Sequence, residues 1–117
     1  MPVNKTNPQW RAQTQLVRGG THRSEFAETN EAIFMTSGYV YETAEQAQRA
    51  FREEEERFIY SRFSNPTVGM FEERMRLLEG ANSCRATATG MAAVWGALAA
   101  CLKAGDRLVA ARALFGS

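Results

Sequence analysis

The sequence predicts an α/β protein, and two observations carry that reading. A small-residue run at residues 83–88 is followed by an apolar helical pattern from Gly90, and a second apolar run occupies residues 108–111. Strand, helix and strand in this order make one right-handed crossover unit with parallel strands. The helix between them is also apolar nearly all round from Ala92 to Leu102, as expected of a helix with neighbours on several sides.

Composition bounds the rest. At 117 residues, with 44% hydrophobic and 23% charged, the chain has a globular balance and the length of one ordinary domain. A net charge of +1 gives no general attraction to nucleic acid or anionic membrane. No apolar run approaches the length of a membrane span and the N-terminus has no secretory core, so a cytoplasmic location is expected. Cys84 and Cys101 lack metal-site spacing and read as buried thiols. His22 is the only histidine, which rules out a multi-histidine metal site.

Taken in order, residues 1 to about 30 are polar and broken by Pro2, Pro8 and Gly19-Gly20, so they read as an extended arm. The apolar runs 32–35 and 39–41 are extended segments or loop anchors. The arm as a whole is placed at residues 1–42, and a helix then starts on a capping box of Thr43 and Gln46. Ala44, Ala47, Phe51 and Phe58 give its apolar face, and the acidic run 53–56 is a solvated face. Asn65 caps a second helix with Pro66 in its first position, and Gly80 closes it. Val68, Phe71, Met75 and Leu78 form its expected buried stripe, Met70 and Met75 are core or interface, and Glu72 pairs with Arg76. Thr89 caps the third helix, in which Met91, Trp95, Leu98 and Leu102 share one face, and Gly105 ends it after about residue 104. Two parallel strands cannot cover themselves, so this chain is expected to be the first part of a larger α/β protein.

Two places suit an anion. The start of the Gly90 helix offers unpaired N–H groups and a positive dipole end, and Gly90 lets the backbone come close to a ligand. Between the first two helices, an extended Tyr60-Ser61-Arg62 would aim a phenol and a guanidinium at one place, a pairing that suits phosphate. From these residues alone two classes of function stay open. One is a phosphate-holding enzyme; the other is a non-enzymatic helical interaction domain with Tyr60 and Arg62 on its surface.

With these motifs in hand, the sequence resembles the cystathionine γ-synthase-like pyridoxal-phosphate enzymes of cysteine and methionine metabolism. Tyr60-Ser61-Arg62-Phe63-Ser64-Asn65-Pro66-Thr67 is similar to the family's Y-S-R-x-x-N-P-T, and Thr89-Gly90-Met91-Ala92-Ala93 to its S-G-M-x-A. Lys103-Ala104-Gly105-Asp106 resembles K-x-G-D, and Leu114-Phe115-Gly116-Ser117 falls where the family has Y-G-x-T. The resemblance covers roughly residue 14 to the end.

The resemblance implies the aspartate-aminotransferase-like fold (fold type I), with residues 43–117 as the start of the large, cofactor-binding domain. It implies pyridoxal 5'-phosphate, with Gly90 and Met91 amides on the phosphate, Tyr60 and Arg62 reaching the phosphate of a neighbouring subunit, and Phe115 stacked on the pyridine ring. A homo-oligomer with shared sites follows, at least a dimer and usually a tetramer. Most relatives have tyrosine where Phe115 stands, so the hydroxyl's proton work would fall to another group. Relatives perform β-elimination, γ-elimination or γ-replacement. The text around Leu16 to His22 and the Phe115-Gly116-Ser117 ending imply the γ-replacement of succinate by sulfide on an O-acyl-homoserine, giving homocysteine for methionine. Neither Lys5 nor Lys103 has the context of the family's Schiff-base lysine, so no catalytic residue is expected within these 117 residues and they should be inactive alone.

Overall fold

The computed structural model describes residues 7 and 9–113. The chain divides between Ala86 and Thr87 into two compact units. The described residues contain four helices: α1 (Ala12–Arg18), α2 (Ala44–Phe51), α3 (Pro66–Glu79) and α4 (Gly90–Cys101). Residues 83–88 and 108–111, expected as strands, carry no β-ladder among the described residues. A strand is held by a neighbour's backbone, and without one these segments stay irregular, the second exposed throughout.

In the first unit, α1 packs against α3, so the polar arm is not extended here. The contact depends on Gly19 and Gly20. A Cβ on Gly19 would lie 2.7 Å from Leu77 Cδ1, and one on Gly20 would lie 2.7 Å from Glu73 Cβ. Gly20 also has a left-handed backbone, φ +63, which glycine adopts without penalty. Thr21 is buried beside them. Arg74 locks the seat from α3: its Nε donates to Gly19 O at 3.1 Å, and its guanidinium forks onto both carboxylate oxygens of Glu31. The guanidinium holds the Glu31 carboxyl below its ordinary range, chiefly through hydrogen bonding, against the opposing effect of partial burial.

This docking decides which face of α3 is inside. Pro66 and Met70 are buried, Met70 to 2% exposure, and the His22 N–H donates to the Met70 sulfur at 3.3 Å. Met70 is core, as expected. Val68, Phe71 and Leu78, expected in the buried stripe, are exposed instead. The reason is geometric: α1 and the glycine pair meet α3 along Glu73, Arg74 and Leu77, one turn on from Met70. The expected Glu72–Arg76 pair is also replaced. Arg76 bonds Glu73 at 2.7 Å, while Glu72 accepts the Ala86 N–H at 2.8 Å and pairs with Arg85 at 3.2 Å.

Both expected caps of this unit form. Thr43 accepts the Gln46 N–H at 3.1 Å, and Gln46 Oε1 reaches back to the Glu42 N–H at 2.8 Å, one residue before the cap. Asn65 accepts the Thr67 N–H at 2.9 Å, and Gly80 closes α3 in the left-handed region with φ +60. But α2 stops at Phe51 and does not continue to Phe58. Glu53 turns left-handed and Glu55 folds back onto Arg49 at 3.1 Å. A run of acids at a helix C-terminus opposes the helix dipole, so the chain leaves the helix there. Phe58 stacks on Tyr39 instead, with ring centroids 5.4 Å apart.

The second unit holds α4. Thr89 Oγ1 accepts the Ala92 N–H at 3.1 Å, as a cap should. The helix ends at Cys101, short of residue 104, and Lys103 to Asp106 form a turn with Gly105 at φ +95. In that turn the Asp106 carboxylate accepts the Lys103 N–H at 2.7 Å. Met91, Val94 and Trp95 are exposed. Both cysteines are free; Cys84 is half-buried, and Cys101, expected inside, is exposed because α4 has bare faces. No helix among the described residues is long and apolar enough to cross a membrane.

Candidate phosphate site

Residues 60–64 are not extended as expected. The N–H groups of Phe63 and Ser64 both donate to Tyr60 O, at 2.9 and 3.1 Å, which folds the segment into a turn. The alternation that would aim Tyr60 and Arg62 together is therefore absent, yet the two side chains still meet. The Arg62 guanidinium carbon lies 5.5 Å from the Tyr60 ring centroid and 5.2 Å from that of Phe63. The two rings stand edge to face, 6.4 Å apart. A cation flanked by two aromatic faces gains about 0.5–1 kcal/mol at an exposed site. It also keeps its N–H edge free for an acceptor in its own plane. Among the described residues no carboxylate pairs with Arg62; the ion pairs formed belong to Arg49, Arg57, Arg74, Arg76 and Arg85.

The turn is pinned from behind. Gly38 and Tyr60 form an isolated antiparallel bridge, and the Ser61 N–H donates to Ser37 O at 2.9 Å. Ser61 Oγ donates to Thr36 O and accepts from Asn65 Nδ2 at 2.9 Å. The same Asn65 amide donates to Phe34 O at 2.9 Å, and Thr67 Oγ1 accepts the Phe34 N–H at 2.9 Å. The apolar run 32–35 thus serves as a loop anchor. Asn65 is 7% exposed, with its whole amide engaged. Sequence reasoning identifies Asn65 only as a helix cap; the four-residue spacing from Ser61, within the motif, is the signal for the second role.

In the second unit, Gly90 and Met91 open α4 and both are exposed. Thr89 takes only the Ala92 N–H, so the amides of Gly90 and Met91 are among those that a first helical turn cannot pair internally. Nothing lies within 4 Å of a Cβ built on Gly90. Phe115 lies outside the described residues.

Elsewhere the first unit has an open hollow of about 320 Å³ beside the Glu31–Arg74 pair, lined also by Val17, Arg18, Thr29 and Asn30. Of the expected site residues that are described, none lines it. Among the described residues no group of three or more side chains could hold a metal ion.

These residues sit within a wider similarity. A family model described as Cys/Met metabolism PLP-dependent enzyme matches residues 13–117. O-succinylhomoserine sulfhydrylase of Mycobacterium tuberculosis is 60% identical over 101 residues, 86% of this chain and 25% of the relative. The enzyme of the same name from Pseudomonas aeruginosa is 43% identical over 104 residues, 89% of this chain and 26% of the relative. L-methionine gamma-lyase of Porphyromonas gingivalis is 37% identical over 103 residues, 88% of this chain and 26% of the relative. The chain spans about a quarter of the length of these curated relatives.

Proposed function

The chain belongs to the PLP-dependent enzymes of Cys/Met metabolism, and from that premise we propose that the whole protein is an O-succinylhomoserine sulfhydrylase. Sulfide displaces succinate from the γ carbon of O-succinyl-L-homoserine: the Cγ–O bond breaks, a Cγ–S bond forms, and homocysteine and succinate are released. The observation that carries this reading is the 60% identity to the sulfhydrylase of Mycobacterium tuberculosis across 86% of the chain. Family membership implies the α/β fold of type I PLP enzymes and pyridoxal 5'-phosphate as cofactor. The finer layout is part of the proposal: an arm over residues 1–42, then the start of the large domain with its first βαβ unit.

The residues described fit a phosphate. Among the described residues the Arg62 guanidinium has no carboxylate partner, which leaves it for a dianion, and its flat fork matches two oxygens. The open first turn of α4, with no side chain at Gly90, is a second suitable cradle. In the proposed site the Gly90 and Met91 amides and the α4 dipole hold the phosphate of their own subunit. Arg62 and the Tyr60 hydroxyl donate to the phosphate of the partner subunit, so the active unit is a homo-oligomer. Phe115 would stack on the pyridine ring. When bound, the cofactor supplies an electron sink beside the substrate α carbon. A cytoplasmic location accords with this reading.

The test is substrate choice by the purified whole protein. Sulfide-dependent release of succinate from O-succinyl-L-homoserine, with homocysteine formed in equal amount, is expected. Breakdown of L-methionine without sulfide incorporation overturns the reading in favour of the activity named for the relative at 37% identity.

A further inference from the structure

We propose that Asn65, acting through Ser61, is a positioning residue that aims Tyr60 and Arg62 at the cofactor phosphate. The inference rests on the phosphate role given to those two residues above. Ser61 is the fixed point between them. Its N–H is held by Ser37 O, and its Oγ donates to Thr36 O while accepting from Asn65. Tyr60 and Arg62 therefore extend from a residue whose backbone and side chain are both tied to the segment 34–38.

Asn65 does more than a cap requires. Serine or aspartate would start α3 as well as asparagine does, since capping uses a single acceptor. Here Oδ1 takes the Thr67 N–H, while the two N–H groups of the amide reach Phe34 O and Ser61 Oγ, 31 and four residues away in sequence. The amide orientation is fixed by this network, because a flipped amide would point its N–H groups at the Thr67 N–H. Neither serine nor aspartate can cap and also donate twice. A partly satisfied network at a buried site is costly, so the three bonds hold the turn and the helix start as one piece.

The experiment titrates the apo form of the whole protein with pyridoxal 5'-phosphate, following visible absorbance, alongside thermal melting without cofactor. Asn65→Ser keeps the cap and removes both donors; Ser61→Ala removes the central acceptor and needs no change in the helix. Each is expected to weaken cofactor affinity about tenfold, the scale of one or two lost hydrogen bonds. In a Tyr60→Phe/Arg62→Ala background the same changes should have little further effect, because neither hydroxyl nor guanidinium is left to aim. Wild-type affinity in both single variants, with Arg62→Ala weakened, overturns the positioning role and leaves the phosphate role standing. Equal weakening with and without the Tyr60 hydroxyl and Arg62 guanidinium overturns it as well, since the effect would then pass through general stability. Wild-type affinity in Arg62→Ala removes the phosphate role, and the positioning role falls with it. Should Asn65→Ser fail to fold, Ser61→Ala decides alone.

Discussion

Replacing Gly20 by alanine tests the seat that joins α1 to α3. Two separable costs arise. The first is backbone strain: at φ +63 an L side chain is disfavoured by roughly 1–2 kcal/mol. The second is overlap, because the new methyl would sit 2.7 Å from both Glu73 Cβ and Cγ. Neither atom can swing away cheaply, since Cβ is fixed to the α3 backbone and the carboxylate is bonded to Arg76 at 2.7 Å. Overpacking of this kind adds about 1–3 kcal/mol. Gly80→Ala is the internal control, with the same left-handed strain at φ +60 but nothing within 4 Å of the added methyl. Gly38→Ala, with neither, should be nearly silent. Hydrogen exchange of the α1 and α3 amides in the whole protein reads the difference. Protection should fall about 30-fold or more for Gly20→Ala, from the sum of the two costs. An effect no larger than that of Gly80→Ala would refute the close packing of Gly20 on Glu73.

Three other outcomes follow from the same contacts. Met70→Ala should destabilise the first unit by about 2–5 kcal/mol, because a side chain at 2% exposure leaves a cavity; a loss under about 1 kcal/mol by denaturant melting would move the core elsewhere. The lowered Glu31 pKa stabilises the docked arm above the usual carboxylate range, and that contribution is lost as pH falls through the depressed value. Glu31→Gln should therefore flatten the acid limb of the stability profile, and superimposable wild-type and variant profiles would count against the Arg74 fork. Mixing an Arg62→Ala subunit with one lacking the cofactor-binding lysine should restore part of the activity; absence of rescue in verified mixed dimers argues against a site shared between subunits.

Local chemistry was legible in the sequence, and distant partners were not. The caps at Thr43, Asn65 and Thr89 and the glycine stop at Gly80 all stand where sequence reasoning puts them, because each needs only neighbours two or three residues away. The buried face of α3 is missed because its partner, α1 with Gly19-Gly20-Thr21, reads as an arm without a core. The length of α2 is missed because aromatic residues at helical spacing continue to Phe58, while the charge of residues 53–56 ends the helix first. At the candidate site, the meeting of Tyr60 and Arg62 is legible and its route is not: stacking in a turn replaces alternation along a strand. The Asn65 bond to Ser61 is signalled by their four-residue spacing, but its bond to Phe34, 31 positions back, is one that no local pattern reveals.

The Gly38–Tyr60 bridge has a bearing on how this region tolerates change. It closes the base of an excursion running from residue 39 to residue 59, with the Tyr39–Phe58 stack just above the closure. Everything beyond that stack, the acidic bend included, hangs from a clasp that does not depend on its contour length. Lengthening a closed loop costs only about 0.6 kcal/mol per doubling. Insertions or deletions around residues 53–56 should thus pass without disturbing the aim of Arg62, making that bend a natural point to attach a reporter or vary the chain.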